Sequence, residues 1–363
     1  MISWDTSNLL CLLTSTVYVL GLYTIPARVR ELPRDDTEHI RYRLAITAFS
    51  NILTLSLIGY CFSFLVERTM LQHQSFTDAM GFRIDNALLS VSITALLMTV
   101  FYAGPIVAFL GYLWLAARNA RVNQSVAAAN GHESQSTGTQ PREIVVSPFA
   151  LWVDILHCQW RDMRRYPEIS VRMLVFAPVS EELIFRSVII FLMLAAVPAE
   201  QTADSLRIAL ICPFWFAVAH IHHAFTLWKE ERAPGWDSDQ KRAVLRSIFV
   251  RTGVQLTYTT IFGVIAALLY LRTGSISAPI TSHVICNYAQ LPNMSFMRPP
   301  YGKTSTPRIS TGDYTCLYQY RYALLVLHAG GLIAFSLFLF PWTRAMSQQS
   351  VLWREAGFEG FQR

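Results

Sequence analysis

Seven windows of this 363-residue chain contain no Asp, Glu, Lys or Arg: Leu9–Ile25, Leu44–Val66, Ala87–Ala117, Ile208–Trp228, Thr252–Leu271, Thr273–Met297 and Tyr322–Thr343. About 20 apolar residues in a helix cross the ~30 Å hydrocarbon core of a bilayer, with every backbone polar group satisfied inside the segment. An eighth window, Met173–Ala199, has the same character but holds Glu181, Glu182 and Arg186. The composition agrees: 53% of residues are hydrophobic and 15% charged, against roughly 25% charged in soluble proteins. Mean hydropathy is +0.33. The expected fold is therefore all-α, a polytopic transmembrane helical bundle of about eight spanning helices. A disulfide-stapled secreted domain is excluded, because Cys11, Cys61, Cys212 and Cys286 lie inside apolar windows. With 22 Phe, 15 Tyr and 9 Trp the chain is not a disordered one either.

Charge placement orients the chain. With eight spans, the loops at 26–43, 118–172, 229–251 and 298–321 share one face and carry 22 of the 30 Lys and Arg; the other face with both tails carries 7. The positive-inside rule makes the first face cytosolic. The thirtieth cation is Arg186, inside a span. Four regions follow: N-terminal spans over 1–117, a cytosolic loop and interfacial helix over 118–165, a core of spans four to seven over 166–297, and the last loop, span and tail over 298–363. Asn119–Arg142, rich in Ala, Ser, Asn, Gln and Gly, reads as a flexible loop. Ser147-Pro148 then starts a helix whose Phe149, Trp152, Leu156 and Trp160 recur at three- and four-residue spacing above Arg161, Arg164 and Arg165, the pattern of a helix lying in the membrane interface.

An ionisable residue inside a span is a functional candidate by default. Glu182 and Arg186, four apart, share a helix face, while Glu181 points about 100° away. Arg186 can hold Glu182 ionised as a structural pair, which leaves Glu181 as the less compensated carboxylate and the candidate general base. In the fifth span Phe216 and His220 lie one turn apart, so the ring can pack beside the imidazole; His222 falls nearly opposite. In the seventh span His283 and Asn287 share a face and both can donate hydrogen bonds, which suits an oxyanion or, equally, an interhelical clamp. Glu181 is nine residues after Arg172 and His220 nine before Lys229, so both sit about 13 Å from the same boundary. One cavity lined by a carboxylate, an imidazole and two further donors suits water attack on a carbonyl.

Taken in order, Glu181-Glu182-Leu-Ile-Phe-Arg186, Phe216-x-x-x-His220 and His283-x-x-x-Asn287 resemble the three signature motifs of the type 2 CAAX prenyl proteases, the Ras-converting-enzyme branch of a superfamily of glutamate-dependent intramembrane proteases. The resemblance is dense from Tyr166 to Tyr288. It implies a multi-pass endopeptidase of the endoplasmic reticulum membrane, its active site facing the cytosol, that removes the aaX tripeptide from farnesylated or geranylgeranylated CaaX proteins such as small GTPases. Glu181 and His220 would activate water, with the division of acid and base between them open. His283 and Asn287 would stabilise the oxyanion, and Glu182, Arg186 and Phe216 would support them. No cofactor and no metal are expected, and a nucleic-acid partner is not, because the basic charge is divided among membrane loops. Two readings compete. Glu181, His220 and His283 are possible zinc ligands of a metalloprotease, although His132-Glu133 lacks the second His of a zinc motif. A transporter or non-catalytic scaffold would use the same buried charges as a relay or packing network.

Overall fold

The computed structural model describes residues 2–131, 147–198, 204–231, 237–300 and 313–353. Its helices run, in chain order, α1 (Trp4–Gly21), α2 (Thr37–Val66), α3 (Ala87–Phe101), α4 (Ala103–Gly131), α5 (Pro148–Arg165), α6 (167–194), α7 (Ser205–His220), α8 (His222–Glu231), α9 (Ser238–Thr273), α10 (Ser277–Ala289) and α11 (Arg321–Trp342). No strand occurs among the described residues. Local chemistry sets several ends. Ser3 Oγ accepts from Thr6 N–H at 3.1 Å to open α1. Asp36 caps α2 through Glu38 N–H at 2.8 Å. Asp237 and Gln240 form a reciprocal capping box on α9, which Gly274 closes in the left-handed region at φ 64°.

Among the described residues five helices are long and apolar enough to cross a membrane, and six if α3 and α4, bent by 64°, make one span. The remaining two expected spans depart from a simple crossing. The fourth is the continuous α6, whose ionisable residues and two π-helical turns set it apart. The seventh, expected over Thr273–Met297, has as its one α-helix Ser277–Ala289, after Thr273 ends α9; its 13 residues cover about 20 Å, short of the ~30 Å hydrocarbon core.

Contacts divide the chain into two units, one comprising 1–95, 168–288 and 340–363, the other 96–167 and 289–339. In the first, α6 is the central element: every residue from Ile184 to Leu194 is at most 1% exposed. α1, α2, α7 and α9 surround it. The connection from α2 to α3 folds inward rather than running over the surface. Thr69, Leu71, Ala79 and Met80 are buried, Met70 N–H donates to Val197 O at 3.2 Å, and Ser187 Oγ donates to Met80 O at 2.6 Å. Ile276 N–H then bonds Gly81 O at 2.9 Å, so α10 starts close to the level of Ser187. That inward fold is why α10 is short: it has only to run from there back to Met173.

In the second unit Tyr112, Leu113, Ala116, Phe296, Leu317 and Leu324 form a core that also takes Leu151 of α5. Ser147 caps α5 as expected, accepting from Ala150 N–H at 3.0 Å. The opposite face, Phe149, Trp152, Leu156 and Trp160, is exposed. Asn119–Gly131, expected as the start of a loop, continues α4 as helix; the rest of that expected loop, with His132 and Glu133, lies outside the described residues.

Gly81 has φ 71°, and a Cβ there would sit 2.5 Å from the Tyr270 ring. Gly81→Ala is expected to destabilise the protein by about 1–3 kcal/mol, because it adds both a left-handed strain and a clash. Gly253 meets nothing within 4 Å and is helical, so Gly253→Ala should stabilise by about 0.5–1 kcal/mol. Thermal unfolding in detergent compares the two.

Candidate active site

The site is built on α6, and α6 is not a regular α-helix. Over Arg172–Phe176 it is π-helical, and Ala177 N–H bonds Arg172 O. Residue 178 is proline, which has no N–H. Met173 O therefore lacks a backbone donor in either register: its α partner is spent on Arg172 and its π partner is Pro178. Asn287 Nδ2 of α10 fills the gap, donating to Met173 O at 2.8 Å. A second π turn, Leu183–Val188, follows the glutamates. Such turns recur at functional sites because the extra residue re-aims neighbouring side chains.

Glu182 is the most enclosed member, its side chain 0% exposed. Oε1 accepts from His283 Nδ1 at 2.6 Å, and Oε2 lies 3.0 Å from Arg186 Nε. The arginine contact is an ion pair whose angle falls short of a hydrogen bond. The Arg186 guanidinium is also sandwiched by aromatic faces, 4.4 Å from the Phe216 centroid and 5.5 Å from that of Phe262. Carboxylate and rings together compensate a charge that has left water.

Glu181, one residue earlier, points elsewhere and is 22% exposed; its Oε2 lies 3.9 Å from His283 Nε2. The imidazole of His283 thus stands between two carboxylates, bonded to the buried one and facing the accessible one. With Nδ1–H donated to Glu182, Nε2 offers a lone pair in the neutral ring and a proton only in the imidazolium. The Phe262 ring, edge-on at 4.9 Å, fixes the imidazole plane.

His220 closes α7. Its Nδ1 lies 2.8 Å from Phe216 O, so Nδ1–H donates there and Nε2 keeps its lone pair. The rings of Phe216 and His220 meet edge-on at 4.5 Å. Phe216 therefore touches both Arg186 and His220, as the one-turn spacing predicts. His220 and Glu181 make no ion pair or hydrogen bond with each other; from His220 the contacts run through Phe216 and Arg186 to Glu182, while Glu181 faces His283. Among the described residues no three His, Cys, Asp or Glu side chains converge in a metal-holding group.

Three further residues position Glu181. Ser180 is buried, and its Oγ accepts from Asn51 Nδ2 of α2 at 2.9 Å and meets Tyr18 OH of α1 at 3.1 Å. Tyr18 also packs edge-on against Phe185 at 5.4 Å. A polar Asn inside the second apolar window was the available signal, but only the fold pairs it with the residue beside Glu181.

Comparison with known proteins bears on the same segment. Residues 166–289 match the family described as type II CAAX prenyl endopeptidase Rce1-like. The chain is 28% identical to CAAX prenyl protease 2 of Arabidopsis thaliana over 78% of each chain. It is 26% identical to CAAX prenyl protease 2 of Homo sapiens, over 78% of this chain and 70% of that relative. With the probable CAAX prenyl protease 2 of Schizosaccharomyces pombe it shares 31% identity over 41% of this chain and 47% of the relative. No solved structure matches it.

Removing one partner of the buried pair leaves the other uncompensated. Arg186→Met should therefore destabilise by about 3–5 kcal/mol, and Arg186→Met combined with Glu182→Leu by clearly less than the two single changes together. A double-mutant cycle on thermal or denaturant unfolding reads the coupling directly.

Proposed function

We infer, from the premise that this chain is a type II CAAX prenyl endopeptidase of the Rce1-like family, that it cuts after the prenylated cysteine of CaaX proteins and releases the aaX tripeptide. The observation that carries the reading is the contrast between adjacent glutamates: Glu182 is locked between Arg186 and His283, while Glu181 is accessible and faces His283 Nε2. A locked carboxylate supports; an accessible one can meet water and substrate. The protein is a multi-pass membrane protein by its apolar helices.

In this mechanism a water molecule bound at Glu181 attacks the carbonyl carbon of the cysteine–a peptide bond. Its proton passes to the pair formed by Glu181 and His220, whose Nε2 lone pair is free because Nδ1–H is held by Phe216 O. Negative charge develops on the carbonyl oxygen. Asn287 has two amide N–H groups and spends one on Met173 O, so the second is available to the oxyanion. His283 contributes from Nε2 when the ring is imidazolium, with Glu182 as its counter-ion. Collapse breaks the C–N bond, the nitrogen takes the proton, and the products are a prenylcysteine carboxylate and a tripeptide with a free amine.

The membrane setting follows from the substrate, whose isoprenoid holds the tail at the bilayer while the scissile bond stays polar. Prenylated CaaX proteins such as small GTPases are substrates of this kind, met at the endoplasmic reticulum membrane. The cytosolic orientation rests on the 22 basic residues of one set of loops. It is supported by α10, which returns the chain to the Met173 end despite its length, so the parity that the charge count needs is kept. The exposed aromatic face of α5 fits the interface of that same side.

Membranes containing the protein are expected to release the tripeptide from a farnesylated CaaX peptide. Glu181→Ala and His220→Ala should each lower the rate by about 10²–10⁴-fold, and Asn287→Ala by about 10²-fold. Release that survives Glu181→Ala unchanged rules the mechanism out.

A further inference from the structure

At the end of the first unit where α6 begins, three arginines are each paired with a carboxylate. Arg28 meets Glu38 at 2.7 Å, Arg41 meets Glu168 at 3.0 Å, and Arg172 meets Asp35 at 2.8 Å. Arg30, Arg34 and Arg43 have no such carboxylate, and of these three Arg43 alone is not exposed. It is half-buried and makes no hydrogen bond or ion pair with any described residue. Its electrostatic neighbours are the guanidiniums of Arg34 and Arg172 and the hydroxyls of Tyr18 and Tyr23. A partly desolvated guanidinium among like charges is poorly stabilised until an anion joins it.

Its place on α2 tells which anion fits. Arg43, Thr47 and Asn51 recur every four residues and so share one face, with Thr47 and Asn51 buried. Asn51 ends on Ser180, the neighbour of Glu181. Arg43 is eight residues earlier, about 12 Å along the helix axis from the Glu181 level. Arg172 lies nine residues before Glu181 on α6, about 13 Å away. Two separate helices therefore place guanidiniums at nearly the same distance from the reacting centre. An extended peptide advances about 3.3–3.6 Å per residue, so three residues beyond a scissile bond reach about 10 Å and end in a carboxylate.

We propose that Arg43, backed by Arg172, binds the C-terminal carboxylate of the substrate, and that the distance from this guanidinium pair to Glu181 fixes the cut three residues from the chain end. The proposal rests on the peptidase reading above and adds the element that counts residues. A planar guanidinium suits the role because it donates in parallel to both carboxylate oxygens.

The test uses the full-length protein in phosphatidylcholine vesicles with two farnesylated CaaX peptides, identical except that one ends in a free carboxylate and the other in an amide. Mass spectrometry of the released fragment gives kcat/KM for each. The wild type should favour the acid by about ten- to hundredfold, the range of a lost charge-assisted hydrogen bond. Arg43→Gln should bring that ratio close to one, and Arg43→Lys should keep the part that a single positive charge supplies, a ratio between those of the wild type and Arg43→Gln. A wild-type ratio near one, a ratio unchanged in Arg43→Gln, or an equal loss on both peptides in that variant each overturns the proposal. The series is repeated with phosphatidylserine added. An Arg43→Gln effect that follows the anionic lipid equally for both peptides assigns the site to lipid phosphate and overturns the proposal as well. If the wild type cuts neither peptide, the peptidase reading itself fails and the proposal falls with it.

Discussion

The geometry of the site depends on one buried carboxylate. Glu182 has no exposed surface, and it joins three helical segments through two oxygens: Arg186 on its own helix at 3.0 Å and His283 of α10 at 2.6 Å, with Arg186 carried on to the Phe216 ring of α7. An ion pair in this setting is weak evidence for net stability, since desolvation offsets much of the attraction. What it supplies is registry. A one-residue slip of α6 would carry Glu182 and Arg186 together out of the enclosed position, take Arg186 off the Phe216 ring and put Glu181 in place of Glu182 against His283.

The division of labour between the two glutamates follows. Because Glu182 takes the guanidinium and the imidazole Nδ1–H, Glu181 is left uncommitted at the open side of the cluster, held only through its neighbour Ser180 by Tyr18 and Asn51. The π turns serve the same end. The first strands the carbonyl of Met173 because position 178 is proline, and that carbonyl anchors Asn287. A backbone irregularity in α6 thus fixes the far end of α10, while the buried pair fixes its middle.

Much of this was legible in the sequence. The apolar windows located the long helices, and the i,i+4 spacings paired Glu182 with Arg186 and Phe216 with His220, because helical periodicity alone decides those neighbours. Three features were not legible. The α2–α3 connection carries Met70, Leu71 and Met80 but is too short and too mixed to stand out as buried, so the shortness of α10 that results from it was hidden as well. The π turns have no periodic signature. His283 and Asn287 were read as converging on one point, whereas Asn287 spends one donor on a carbonyl that only the π register exposes; that requires knowing where α6 breaks its own hydrogen-bond ladder.

The most direct measurement compares Glu181→Gln with Glu182→Gln in the full-length protein, reading the melting temperature, the affinity for a farnesylated CaaX peptide and the release of tripeptide on the same samples. The account predicts that Glu181→Gln keeps the wild-type melting temperature and binds the peptide as tightly as the wild type while releasing tripeptide about 10²–10⁴-fold more slowly, and that Glu182→Gln melts several degrees lower. Full turnover by Glu181→Gln, or an unfolded Glu181→Gln beside a stable and inactive Glu182→Gln, would contradict it.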